Sequence, residues 1–183
     1  MQRKFITNLA LLLFLNLLIK PFWILGIDRS VQNAVSAEVF GTYYALFNFT
    51  FLLNILLDLG ITNFNNKNIA QNNHLLTKHV SSILSLRILL GVVYIIITLS
   101  VGLVIGYTVD QLFVLVLLGF NQFLISFILY LRSNIAGLHL FKTDSFVSVL
   151  DRLIMISICA VLLWGNVIHS AFQIEWYVYA QTT

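Results

Sequence analysis

Residues 38–70 read EVFGTYYALFNFTFLLNILLDLGITNFNNKNIA, an apolar run that opens at a glycine-aromatic turn and closes at Asp58-Leu59-Gly60 before an asparagine-rich segment. From Val39 to Leu59 there are about twenty residues, the length an α-helix needs to cross a hydrocarbon core of roughly 30 Å. Gly60 is placed to end that helix, because a glycine just past the last apolar turn adopts the left-handed cap conformation at little cost. Asp58 lies one turn before the stop, facing the negative end of the helix dipole at a poorly solvated boundary. It therefore calls for a basic partner, or else reaches into interfacial water.

The rest of the chain repeats the pattern. Of its 183 residues, 60% are apolar and 9% charged, which excludes an ordinary soluble fold and marks an integral membrane protein. The single Cys159 rules out a disulfide framework and CxxC metal spacing. His74, His79, His139 and His169 stand at no ligand spacing, and no nucleophile-base pair, carboxylate dyad or phosphate-binding glycine loop occurs. Neither enzyme chemistry, nor a cofactor, nor a metal is expected. The net charge of +3 is read as a topological signal and not as nucleic-acid binding.

Five spans and the beginning of a sixth are expected: 5–27, 39–59, 83–107, 112–131, 145–164 and 171–183. The N-terminal MQRKFITNLALLLFLNLLIK has the basic and apolar regions of a signal peptide, but Lys20, Pro21, Phe22 and Trp23 occupy the cleavage position, so the segment reads as a retained helix. Pro21 lacks an amide donor and is expected to kink it. Residues 28–38, 61–82 and 132–144 read as polar connections, the second with room for a short helix at its end, and Asp144 as the N-cap of the fifth span. Gly102 and Gly106 have the spacing of a close helix approach. With the N-terminus in the cytoplasm, Arg3, Lys4, Lys67, Lys78, Arg87, Arg132, Lys142 and Arg152 fall inside and only Lys20 and Arg29 outside, a bias of eight to two.

Polar residues within the spans supply the candidate sites, since each costs free energy in lipid unless it is paired or lines water. Lys20 shares a helix face with Asn16, and either lines a cavity able to hold an anion or snorkels to the headgroups. Asn54 and Asp58 share a face of the second span; Gln122, Ser126 and Tyr130 share one on the fourth. These stripes fit interhelical hydrogen bonds, with a cavity lining as the alternative. Asp58, Arg87, Asp151 and Arg152 lie at similar expected depth and suggest an ion network at the inner helix ends.

EVFGTYYALF at 38–47 followed by LLDLGITNFNNKNIA at 56–70 resembles the second-helix signature of bacterial polysaccharide flippases. NLLIKPFWILGIDRSVQNAVS at 16–36, FILYLRSNIAGLHLFKTDS at 127–145 and VSVLDRL at 147–153 add to the likeness. The whole chain resembles the N-terminal portion of a Wzx-like oligosaccharide-lipid transporter of the multidrug, oligosaccharidyl-lipid and polysaccharide flippase superfamily. That resemblance implies an all-α membrane fold, one six-helix lobe of a MATE-like pair, cut within its sixth helix and completed by a C-terminal lobe. It further implies a bacterial inner-membrane protein that moves undecaprenyl-pyrophosphate-linked glycans outward by alternating access. The partners so implied are the lipid bilayer, the undecaprenyl-linked glycan and the second lobe, with Lys20 as the phosphate contact, Arg29 as a further one, and Asn16, Asn54 and Gln122 as cavity candidates. Two other readings stand beside it: a cation-coupled drug extruder of the same fold, which calls for cavity carboxylates, and a small scaffold subunit of a glycan-assembly complex, which calls for a natural stop at Thr183.

Overall fold

The structure is a computed structural model that describes residues 10, 14, 17, 19, 21–72, 76–165 and 172–182, without the side chains of 76–79 and 151. Among the described residues every regular element is helical. A π-helical segment, Trp23–Asp28, leads into α1 (Arg29–Ala34); then follow α2 (Ala37–Leu52), α3 (Ile55–Asp58), α4 (Ile61–Gln71), α5 (Leu76–Ile105), α6 (Val109–Gly137), α7 (Phe141–Trp164) and α8 (Ile174–Ala180). Among the described residues, four stretches are long and apolar enough to cross a membrane: Ala37–Gln71, Val80–Ile105, Val109–Gly137 and Phe141–Trp164. About half of the expected first span, 12 of the 23 residues 5–27, lies outside the described residues.

The chain forms two compact units, residues 44–140 and residues 1–43 with 141–183. In the 44–140 unit, α5 and α6 pack closely because glycines remove side chains from their contact. A Cβ on Gly91 would stand 2.5 Å from the Phe123 ring, and one on Gly119 would stand 2.9 Å from Ile95. Gly102 likewise faces Leu115, whereas Gly106 takes φ +89° with open space around it and ends α5 instead of packing. Thr108 and Gln111 then cap α6 reciprocally, the Thr108 hydroxyl accepting from the Gln111 N–H at 3.4 Å and the Gln111 amide oxygen accepting from the Thr108 N–H at 3.0 Å. Tyr94, fully buried, donates its hydroxyl to the Thr50 carbonyl at 2.9 Å and ties α5 to α2.

Three expected connections are helical instead. The 28–38 stretch continues as α1 up to Val35, because Ile19, Trp23, Ile27, Val31 and Val35 recur every fourth residue and all are buried. The helix does leave regular α geometry directly after Pro21, over the π-helical segment. The asparagine-rich stretch after Gly60 forms α4, whose Asn65 and Ile69 face α6. Ile69 fits because Gly137 has no side chain: a Cβ there would stand 2.9 Å from it. Residues 132–144 shrink to the break at Leu138–Leu140, so Asp144 lies in the first turn of α7 and is not its N-cap. It still complements the helix dipole from that position.

Candidate functional site

Two polar centres stand out, one in each unit. The first is built around Arg87 on α5, whose side chain is 1% exposed. A buried guanidinium needs its charge and its N–H groups met, and at Arg87 all but the Nε–H are. Here one terminal nitrogen forms an ion pair with Asp58 and donates to the Thr62 hydroxyl at 2.6 Å. The other donates to the Ser126 hydroxyl at 2.8 Å and to the Ser126 carbonyl at 2.9 Å. The guanidinium carbon also lies 4.9 Å from the centroid of the Tyr130 ring, within cation-π range.

The local backbone explains how Asp58 reaches this position. Leu59 and Gly60 both take left-handed conformations, at φ +45° and +83°, and break the helix between α3 and α4. In a continuous helix the Thr62 N–H would bond to the Asp58 carbonyl. It bonds instead to the Asp58 carboxylate at 3.1 Å, and the Thr62 hydroxyl donates to the same oxygen.

The expected polar stripe on α6 is buried along its length, with Gln122 2%, Ser126 5% and Tyr130 0% exposed, and each member bonds across to a neighbouring helix. Asn54, at the break between α2 and α3, donates to the Gln122 amide oxygen at 2.7 Å, so these two cavity candidates are occupied with each other. The helix tightens there into i→i+3 bonds, from Leu56 to Leu53 at 3.0 Å and from Leu57 to Asn54 at 2.9 Å. One turn beyond Tyr130, Asn65 of α4 donates to the Ser133 hydroxyl at 2.8 Å and the Asn134 amide oxygen at 2.9 Å.

The second centre joins the π-helical segment, α7 and α8. The Tyr177 hydroxyl donates to the Asp28 carboxylate, and its ring stacks on Trp23 with centroids 5.9 Å apart. Tyr43 meets Tyr177 edge-on at 5.4 Å and accepts from the Gln181 side chain at 2.6 Å. The Arg152 guanidinium lies 5.8 Å from the Trp23 centroid and acts electrostatically on Asp28. Three aromatic rings and a carboxylate thus form one cluster, with Arg152 near the Trp23 ring.

Of the suggested four-member ion network, Asp58 and Arg87 meet, Arg152 belongs to the other unit and faces Trp23, and the Asp151 side chain is outside the described residues. Arg29 is exposed on α1, and Lys20 and Asn16 lie outside the described residues. Asp28, Thr62, Asn65 and Tyr177 were missed as members of these centres. The four-residue spacing of Asp58 and Thr62 carried a signal for one of them; Asn65, Asp28 and Tyr177 meet partners distant in the chain.

A family model described as polysaccharide biosynthesis protein matches residues 7–177. Neither the comparison with curated proteins nor that with solved structures gave a match. With that match covering nearly the whole chain, and four stretches fit to cross a membrane, the chain belongs to the polysaccharide biosynthesis protein family.

Proposed function

We propose that the chain is part of a flippase that carries a lipid-linked glycan, undecaprenyl-pyrophosphate-linked, from the inner to the outer leaflet of the bacterial inner membrane. The observation that carries this reading is the family match over residues 7–177 on a chain with four span-capable stretches. In the proposal the chain forms one MATE-like lobe of five spans and the start of a sixth, with its N-terminus in the cytoplasm, and works by alternating access against a second lobe. The eight-to-two distribution of basic residues supports that orientation.

The chemistry of the cargo sets what the lobe must supply. A pyrophosphate needs cationic or N–H donors within a cavity, while the polyprenyl tail stays in lipid. Both terminal nitrogens of Arg87 are engaged by Asp58, Thr62 and Ser126, and only its buried Nε has no partner, so it serves the fold and not the cargo in this conformation. Exposed Arg29, together with Lys20, is the better candidate for the phosphate contact. The test is glycan export by Lys20→Ala and Arg29→Ala variants, with membrane insertion measured alongside. Loss of export at normal insertion is the expected result; full export by both variants would remove these residues from the cavity.

A further inference from the structure

We infer that the face of α2 formed by Tyr44, Asn48 and Phe51 fronts water and not lipid, and that it is a contact for the sugar part of the cargo. In this contact the Asn48 amide bonds to sugar hydroxyls, and the two rings cover the C–H faces of sugar rings. That the occupant is a glycan rests on the flippase reading; that the face is wet does not.

Depth and exposure set Asn48 apart. It stands nine residues after Val39 and eleven before Leu59, near the middle of the second span and about 14 Å of helix from its start. Its side chain is exposed and has no hydrogen-bond partner among the described residues. An amide in hydrocarbon forfeits the hydrogen bonds it makes in water, so such a position is costly unless water or a polar group meets it. Asn54 and Gln122 answer that demand by bonding to each other, and Asn65 by bonding to Ser133 and Asn134. On the neighbouring helices the exposed mid-depth positions are apolar, Leu89, Val92 and Ile96 on α5 and Val116, Phe120 and Ile125 on α6, as lipid requires. Asn48 breaks that pattern.

The residues around it fit a sugar. Tyr44, Asn48 and Phe51 stand at i, i+4 and i+7, on one face of the helix. Tyr44 is 51% and Phe51 61% exposed, and Phe47 lies against both, with ring centroids 6.2 Å from Tyr44 and 6.4 Å from Phe51. A carboxamide offers two N–H donors and a carbonyl acceptor, which suits neighbouring hydroxyls, while an aromatic face suits the apolar face of a pyranose. Residues 44–52 contain no charged side chain, so this stretch is matched to the sugars and not to the pyrophosphate.

The first test uses membranes of cells that carry the intact gene, opened on both sides to a charged methanethiosulfonate, which reacts with thiolates in water. Asn48→Cys is compared with Val92→Cys, a lipid-facing reference 53% exposed on α5, and the parent with its buried Cys159 gives the background. Position 48 is expected to react at least about tenfold faster than position 92, because a thiol in apolar surroundings is seldom ionised. Equal rates would overturn the inference, since the face would then meet lipid or another helix. The second test restores the gene to its deletion strain. Asn48→Leu, inserted at the parent's level, is expected to lower surface glycan about three- to tenfold through lost hydrogen bonds, with Asn48→Gln retaining more. Parent-level export by Asn48→Leu would overturn the sugar contact. If the parent gene itself restored no surface glycan, the flippase reading would fail and the sugar contact with it, while rapid labelling at position 48 would still mark a wet face.

Discussion

Arg87 and Asp58 form an ion pair across two helices in which the guanidinium is 1% exposed and the carboxylate 32% exposed. The pair is therefore asymmetric: Asp58 keeps some access to water and Arg87 has none. Removing the acid strands a buried charge, while removing the arginine leaves an acid that water can still reach.

Asp58→Asn is accordingly expected to destabilise the chain by about 3 kcal/mol, at the low end for breaking a buried pair because the carboxylate is part-exposed. Arg87→Met should cost less, and Asp58→Asn with Arg87→Met less than Asp58→Asn alone. Thermal unfolding in detergent, followed by size-exclusion recovery, completes the double-mutant cycle. Additive losses would show that the two side chains do not act as a pair.

Glycines at two helical positions should respond oppositely to alanine. At Gly91 a Cβ would stand 2.5 Å from the Phe123 ring, so Gly91→Ala is expected to lower stability by about 1–3 kcal/mol through overpacking. At Gly41 no atom lies within 4 Å, so Gly41→Ala should raise it by about 0.5–1 kcal/mol through helix propensity. The same unfolding assay reads both signs.

At the break between α3 and α4, Leu59→Gly should be neutral or stabilising by up to about 1 kcal/mol, because it relieves a left-handed leucine that buries little surface. Gly60→Ala at φ +83° should cost about 1 kcal/mol or more. Equal effects from the two changes would contradict the left-handed assignment of both residues.

In the second centre, Tyr177→Phe removes the hydroxyl that meets Asp28 and keeps the ring stacked on Trp23. A loss of about 1.5–3 kcal/mol is expected for a bond to a charged group. Tryptophan emission should stay close to that of the parent, whereas Tyr177→Ala should shift it by opening the stack. An unchanged unfolding temperature in Tyr177→Phe would mean that Asp28 finds its partner elsewhere.

What the sequence carried well were the features that local patterning encodes. The apolar runs locate α2 with α3, α5, α6 and α7, the glycine after Asp58 marks the break at Leu59–Gly60, and the dipole argument calls for a basic partner at Asp58, the role Arg87 fills. What it hid depends on distant partners. α4 looks like a loop by composition, and its helicity rests on Asn65 reaching Ser133 and on the room left by Gly137. Residues 132–140 look equally polar, yet Ser133 and Asn134 are the surface that α4 docks on. Arg152 carries no local signal for an aromatic neighbour, because depth along a helix says nothing of the direction in which a side chain points. In the structure Arg152 turns to Trp23.

Transport itself is best tested in the organism that carries the gene, by deleting the reading frame and measuring both surface polysaccharide and the undecaprenyl-linked precursor. The expected result is loss of the surface glycan with accumulation of the complete lipid-linked glycan on the cytoplasmic face, reversed when the gene is restored. Unchanged surface polysaccharide, or disappearance of the lipid-linked precursor itself, would contradict a role in moving that precursor across the membrane.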